Sequence, residues 1–175
     1  FIISGRRTYV DILLKAAAKN NPKLNLDGTG YYFYDLNTKF NYRLSEHDQI
    51  FVSAYLGRDV LNFSSAQGGF STKIPWGNAT ATLRYKRSAR EKLFWNAILN
   101  FTDYKFQFEG KQDQFTFGLS SGIRDYGAKV QWSYYPNPTH RMKWGMDYTF
   151  HKFTPNNTYA SSGDVNFDLG EQVKL

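Results

Sequence analysis

The sequence predicts an all-β fold in which antiparallel strands follow one another in an up-and-down order. Apolar and polar residues alternate along several long segments, which is the two-residue period of a strand with one apolar face. Tight polar turns join some of these segments, at residues 45–48, 88–91 and 136–139. Longer polar connections alternate with the tight turns, at residues 11–30, 58–75, 104–114 and 154–171. In an antiparallel meander every second connection lies at the same end of the sheet, so the tight turns are predicted at one end and the long connections at the other.

The longest alternating segment runs from Ser121 to Phe153 and has two arms. Proline fixes φ and has no N–H to give to a β-ladder, so Pro136 and Pro138 predict a turn between two antiparallel strands. Each arm reaches the roughly 9–11 residues of a tilted strand that crosses a bilayer. One parity of the second arm is apolar throughout: Met142, Trp144, Met146, Tyr148 and Phe150.

The same alternation predicts the earlier elements in order. Residues 1–9 form a first strand, and Asp11–Lys19 can form a short helix inside the connection that follows. Further strands are predicted within 31–44, 50–59, 77–86 and 93–102, and an aromatic hairpin within 104–119. With the two arms of 121–153 we count seven strands, and residues 172–175 begin an eighth.

Composition restricts the class of protein. The 175 residues include 0 cysteines, which excludes a disulfide scaffold and thiolate metal sites. No segment reaches the roughly 18 consecutive apolar residues of a membrane helix, and the mean hydropathy is −0.57. A barrel strand is only half apolar, so this low value is compatible with a membrane barrel. The net charge of +7 is interpreted as scattered solvated Lys and Arg, without a nucleic-acid surface. Because the chain begins with Phe1 and shows no signal segment, we expect a mature piece or a fragment.

Aromatic residues on the apolar parities lie close to the tight turns. Such a row is typical of the aromatic girdle of a transmembrane β-barrel, whose short turns are periplasmic and whose long loops are extracellular. The simpler alternative is that aromatic residues merely favour strands. The residues that we assign to the lipid interface are Tyr42, Tyr85, Trp95, Trp132, Tyr134 and Trp144.

Polar residues on the opposite parities would face the lumen of such a barrel. The lumen-facing candidates are Asp35, Lys39, Arg43, Arg84, Lys129 and Asp147. Contact with a substrate is expected in the long loops, because loops on a rigid scaffold carry function. The extracellular-loop candidates are Asp59, Tyr104, Phe106 and Phe108.

The sequence predicts no enzyme, no cofactor and no metal site. His47, His140 and His151 lack the spacing of metal ligands. Neither a nucleophile elbow, a Walker loop nor a metalloprotease motif is present in the sequence. We also expect no nucleic-acid partner, since strand alternation alone explains why basic and aromatic residues interleave.

Three stretches resemble the barrel of TonB-dependent outer-membrane receptors from Bacteroidota. They are Phe1–Asp11, Tyr31–Asn37 and the hairpin from Ser121 to Pro155, with its Tyr-Tyr-Pro-Asn-Pro turn. The resemblance covers nearly the whole chain, so residues 1–175 are expected to form part of the barrel domain. The family implies a barrel of about 22 strands, an N-terminal plug domain and energy supplied by TonB. It implies outer-membrane lipid and the rest of the receptor chain as partners, and it admits a surface lipoprotein. The plug and the TonB-binding segment do not occur in this sequence.

Three functions remain open at this point. The first is transport, with the chain as part of the wall of an energy-coupled nutrient receptor for a siderophore, glycan, peptide or vitamin. The second is a self-contained outer-membrane barrel of about eight strands with a structural or adhesion role. The third is a soluble β-sandwich that binds carbohydrate through exposed aromatic residues.

Overall fold

Eight strands form one antiparallel sheet in the computed structural model, and their order in the sheet is their order in the chain. The structure describes residues 1–20, 29–65, 69–90, 92–162 and 165–168. The strands are β1 Ile2–Arg7, β2 Gly30–Arg43, β3 Asp48–Ser64, β4 Phe70–Arg90, β5 Leu93–Gln112, β6 Phe115–Asn137, β7 His140–Ser162 and β8 Val165–Asp168. One helix, α1, runs over Val10–Asn20 between β1 and β2. The predicted all-β meander is therefore confirmed.

The register of the strands gives the sheet two faces, which we name face A and face B. Because side chains alternate and paired residues point to the same side, one row of partners defines each face. Face A carries the row Phe40, Val52, Leu83, Leu99, Ala128 and Tyr148. Face B carries the next row, Lys39, Ser53, Thr82, Asn100, Gly127 and Thr149. At the middle of the strands the predicted separation into an apolar and a polar face is confirmed.

Three tight turns lie at one end of the sheet, which we name the short-turn end. They connect Arg43 to Asp48, Arg90 to Leu93 and Asn137 to His140, close to the predicted positions. In the first of them the Leu44 N–H donates to the Asp48 carbonyl at 2.9 Å. In the third, the Asn137 side chain accepts from the His140 N–H at 2.8 Å.

The connections at the opposite end, named the far end, correct the prediction of long loops. Strands β3 and β5 continue to Ser64 and Gln112, so only residues 65–69 and 113–114 separate them from β4 and β6. Strand β7 likewise continues to Ser162. The reason is that the alternation does not stop there but changes phase, as described below. The predicted loop residues Asp59, Tyr104, Phe106 and Phe108 accordingly lie in strands β3 and β5.

The helix and the last strand also differ in part from the expectation. The predicted helix is confirmed as α1, and a Cβ on Gly30 would lie 3.4 Å from the Asp11 Cβ, so α1 begins against β2. Strand β8, Val165–Asp168, lies within the connection predicted over 154–171 and corrects that part of the prediction. The prediction of a strand over 172–175 lies outside the described residues.

The described residues contain almost no hydrophobic core. Val60, which is 2% exposed, is the one buried hydrophobic residue among them. Large apolar side chains on face A stay open instead: Met146 is 72% exposed and Tyr148 is 67% exposed. A β-sandwich would cover such a face with a second sheet, and the described chain forms a single sheet only. The apolar side chains of face A therefore need an apolar phase or a further protein surface to shield them from water.

Both edges of the sheet are incomplete. Strand β8 pairs only with Tyr159–Ser162 of β7, and β1 pairs only with Tyr34–Lys39 of β2. The sheet of the described residues is therefore open. A long strand edge with unpaired N–H and C=O groups is a template for another strand, so the edge of β7 favours further pairing.

Asp48, at the start of β3, holds the first tight turn and gives a pH-dependent prediction. Its carboxylate accepts hydrogen bonds from the Tyr85 hydroxyl and from Ser45 Oγ. These bonds, the one from Tyr85 first, lower the pKa of Asp48 below its ordinary value of 3.8. A lowered native pKa contributes stability that is present above the unfolded pKa and is lost as pH falls through the native value.

We therefore expect hydrogen-exchange protection of the Leu44 and Ser45 amides to be full at neutral pH and to fall below about pH 4. The protection must be corrected for the intrinsic pH dependence of exchange. In the Asp48→Asn variant the protection should be weaker at neutral pH and should change little with pH. Equal protection of the native turn at about pH 3 and about pH 6 would contradict this account.

Candidate functional site

An apolar band crosses face A next to the short-turn end. In β5, β6 and β7 it occupies every second position of residues 93–101, 126–134 and 142–150. Each of these spans matches the roughly 9–11 residues with which a tilted strand crosses a bilayer. The side chains are open to the surroundings in this sheet, with Leu99 at 55% and Trp144 at 50% exposure.

The band does not follow the pairing rows of the sheet. In β4 it occupies residues 79–85, yet Ala79 pairs with the charged residue Asp103 of β5, where the band has already ended. At the short-turn end the band of β4 ends at Tyr85, whose partner in β5 is Ala97, whereas the band of β5 continues past Ala97 to Leu93. The band is thus displaced toward the short-turn end between β4 and β5. A flat apolar layer crossed by tilted strands gives such a displacement.

The six predicted interface aromatics all lie on face A near the short-turn end. Trp95, Trp132 and Trp144 are direct partners in three successive strands. The Trp132 and Trp144 rings lie nearly parallel, with centroids 6.3 Å apart, and the edge of Tyr85 meets Trp95 at 5.1 Å. The remaining two residues lie on the same face: the Tyr42 ring stacks on Phe40 with centroids 6.1 Å apart, and Tyr134 is the partner of Leu93.

The six predicted lumen residues all lie on face B. Lys129 Nζ forms an ion pair with Asp147 Oδ2 at 2.9 Å between adjacent strands. Arg84 Nε donates to Asn96 Oδ1 at 2.6 Å. Asp35 pairs with Arg6 of β1. The other two candidates, Lys39 and Arg43, are exposed on the same face of β2.

A further pair on face B was not predicted. His151 Nδ1 and Asp125 Oδ1 lie 2.8 Å apart across β6 and β7. The sequence signal was the shared parity of His151 with the polar residues of its arm, but only the register between the two strands makes them partners.

The polarity of the two faces inverts toward the far end. On face A the apolar band gives way to an ion-pair cluster, in which Arg124 Nη2 lies 2.8 Å and Lys105 Nζ 3.7 Å from Asp103 Oδ2. The hydrogen bond from Arg124 to Asp103, with their mutual attraction, raises the pKa of the Arg124 guanidinium. Face B becomes aromatic over the same length. The strands therefore continue beyond the apolar layer with charged groups on the side that the band occupied.

The aromatic part of face B centres on Asp59. Phe33, Asp59, Trp76 and Phe106 are partners in one row across β2, β3, β4 and β5. The Tyr31 hydroxyl donates to Asp59 Oδ1 at 2.6 Å, and this bond raises the pKa of the Tyr31 hydroxyl. The Tyr31 ring is nearly parallel to Trp76, with centroids 6.4 Å apart. We call these five residues, Tyr31, Phe33, Asp59, Trp76 and Phe106, the aromatic patch.

The aromatic patch contains two of the four residues predicted to contact a substrate, together with three residues that were not predicted. Asp59 and Phe106 belong to it, and Tyr104 and Phe108 lie on the same face of β5 on either side of Phe106. Tyr31, Phe33 and Trp76 were not predicted as site residues. The signal for Tyr31 and Phe33 was present in β2, where the odd positions carry these two rings before they become polar.

The aromatic patch can bind by stacking and hydrogen bonding. Partly exposed rings offer flat apolar surface, and the carboxylate of Asp59 accepts hydrogen bonds from hydroxyl or amino groups. Arg6 extends the patch, because its guanidinium lies 5.2 Å from the Phe33 ring centre while it pairs with Asp35. Within the described ranges, no three His, Asp or Glu side chains are grouped so that they could hold a metal ion.

Comparison of the chain with family models, with curated proteins and with solved structures found no match. In the part of the chain that the structure describes, no helix has both the length and the apolar character needed to span a membrane.

Proposed function

We propose that this chain is part of the wall of an outer-membrane β-barrel that transports a nutrient, of the TonB-dependent receptor class that its sequence resembles. In this proposal face A meets lipid over the apolar band, and face B lines the lumen. The short turns are periplasmic, and the far ends of the strands project outside the cell. The chain acts in transport and not in catalysis.

The apolar band with its aromatic border is the observation that carries the proposal. An outward apolar belt with aromatic residues at its rim, a polar opposite face and short turns at one end are the properties of outer-membrane strands. The loss of the band where Asp103, Lys105 and Arg124 begin supports an aqueous phase on face A at the far end. The open edge of β7 supports continuation of the sheet by further strands, as a larger barrel requires.

The aromatic patch supports a binding role for the far end of face B. In the proposed orientation this patch faces the lumen outside the membrane, where a ligand arrives. The two alternatives use the same sheet differently. A small closed barrel would need β1 and β8 to pair, whereas a soluble β-sandwich would need a second sheet over face A.

Quenching by brominated lipids tests the placement of face A. The protein is purified from the outer membrane and reconstituted in vesicles whose lipids carry bromine at defined depths of the acyl chain. Comparison with the Trp144→Phe variant isolates the fluorescence of Trp144, which we expect to be quenched most by the bromines nearest the headgroups. Trp76 of the aromatic patch, isolated in the same way through Trp76→Phe, serves as the control and should not be quenched. Equal lack of quenching for both, with release of the protein by alkaline carbonate, would contradict the proposal.

A further inference from the structure

Asp59 brings a negative charge into the aromatic patch. On face B of the described strands β3, β4 and β5, from the middle of the strands to the far end, Asp59 is the one charged residue. Within the described residues no Lys, Arg or His nitrogen lies at ion-pair distance from its carboxylate. The Tyr31 hydroxyl donates to Oδ1 at 2.6 Å and is itself neutral. The described part of the chain therefore leaves this charge without a counter-ion.

A neighbouring contact on the same face shows how this surface holds a cation. Arg6 pairs with Asp35, and its guanidinium lies 5.2 Å from the centre of the Phe33 ring. Phe33 is next to two carboxylates, because Asp35 follows it on the same face of β2 and Asp59 is its direct partner in β3. A ring beside a carboxylate is a favourable site for a cation, since the face of the ring is also negative. Arg6 occupies the site at Asp35, whereas the described residues supply no cation to Asp59.

The rings around Asp59 favour a cationic ligand over a neutral one. Residues directly opposite in adjacent strands have Cβ atoms about 5 Å apart, so Phe33 and Trp76 lie on either side of the carboxylate. The Tyr31 ring centre is 6.2 Å from that of Phe33 and 6.4 Å from that of Trp76. A ligand that covered these rings would remove water from the carboxylate. A neutral ligand would leave the desolvated charge unpaired, whereas a cation would pair with it and also contact the ring faces.

We infer that the aromatic patch binds a guanidinium group of its ligand, beside Asp59 in the way that Arg6 lies beside Asp35, an inference that rests on the proposed function. It adds the charge of the ligand to that proposal. Among the nutrient classes considered for the chain, peptides that contain arginine carry this group, and neutral glycans do not.

Two peptides that differ in charge alone provide the test. The side chain of acetyl-Gly-Arg-Gly-amide ends in a guanidinium, and that of acetyl-Gly-citrulline-Gly-amide ends in a urea of nearly the same shape without the charge. The affinity of each for the whole protein, purified from the outer membrane in detergent, is measured by NMR saturation transfer. Maltotriose serves as the neutral carbohydrate probe. We expect the arginine peptide to bind at least tenfold more tightly than the citrulline peptide.

Asp59→Asn removes the charge but keeps the shape of the side chain, and the Tyr31 hydroxyl can still donate to its carbonyl oxygen. In this variant the two peptides should bind with equal affinity. Asp147→Asn is the matched control, because it removes a carboxylate from face B of β7, outside the aromatic patch. It should keep the tenfold preference for the arginine peptide. The heat-modifiable fraction of each variant shows that it is assembled.

Three results would overturn the inference: no binding of the arginine peptide, equal affinity of the native protein for both peptides, or a preference that persists in assembled Asp59→Asn. Tighter binding of maltotriose than of the arginine peptide would overturn it as well and would indicate a neutral carbohydrate at the patch. None of these results affects the lipid quenching of Trp144, so the ligand class can be wrong while the proposed function stands. Failure of the quenching test would contradict the proposed function whichever peptide binds.

Discussion

Replacement of Met146 by arginine is expected to reduce the amount of assembled protein in the outer membrane at least tenfold. Met146 lies at the centre of the apolar band in β7 and is 72% exposed in the sheet. In the proposed orientation it points into lipid near the middle of the bilayer, where an arginine costs about 2–4 kcal/mol. In water an exposed position tolerates the same change within about 0.5 kcal/mol. The two environments therefore predict different outcomes for a single substitution.

The matched control is Thr149→Arg in the same strand. Thr149 is also exposed but belongs to face B, so its arginine would enter the lumen and its effect should be small. The measurement is the heat-modifiable, folded fraction of each variant in isolated outer membranes, compared with the native protein. Normal assembly of Met146→Arg, or an equal loss in both variants, would exclude lipid contact at face A.

The sequence alone was sufficient for the meander and for the two faces near the short turns. Period-two alternation is a local property, so Trp132 and Trp144 could be assigned to one side of the sheet before their 6.3 Å stacking was known. The tight turns were equally local, since proline and short polar residues restrict the backbone directly. The six interface aromatics and the six polar residues each share a face for this reason.

The far end could not be predicted because the alternation changes phase. In β5 the apolar residues occupy odd positions up to Phe101, with Phe94 and Ile98 as exceptions, and even positions from Tyr104 onward. A window across this change contains apolar residues of both parities, which resembles an irregular connection. The phase changes where face A turns from apolar to charged and face B turns from polar to aromatic. The level at which this happens depends on how neighbouring strands are aligned, so it cannot be determined from one segment. The contact between Asp125 and His151 likewise depends on strand register, which no single segment determines.

If the proposed function is correct, replacement of Trp76 by alanine is expected to weaken ligand binding at least tenfold, which corresponds to about 1.4 kcal/mol or more. Trp76 is central to the aromatic patch, where it lies between Asp59 and Phe106 in the row and nearly parallel to Tyr31. Truncation of a central aromatic anchor commonly costs about 2 kcal/mol or more. The ligand can be identified as the nutrient whose uptake requires the native protein, and its binding measured on purified protein by calorimetry.

Trp144→Ala provides the matched control, because it removes the same side chain from face A at the opposite end of the sheet. It should lower the thermal stability of the reconstituted protein through loss of the Trp132 stacking partner, yet leave ligand affinity unchanged. Trp76→Ala should show the reverse pattern, with weaker binding and a smaller change in stability. Each variant loses one tryptophan, so a general effect of losing an aromatic side chain would change affinity and stability to the same extent in the two variants. Unchanged affinity in Trp76→Ala would exclude the aromatic patch as the ligand contact, even if the chain proves to be part of a transport barrel.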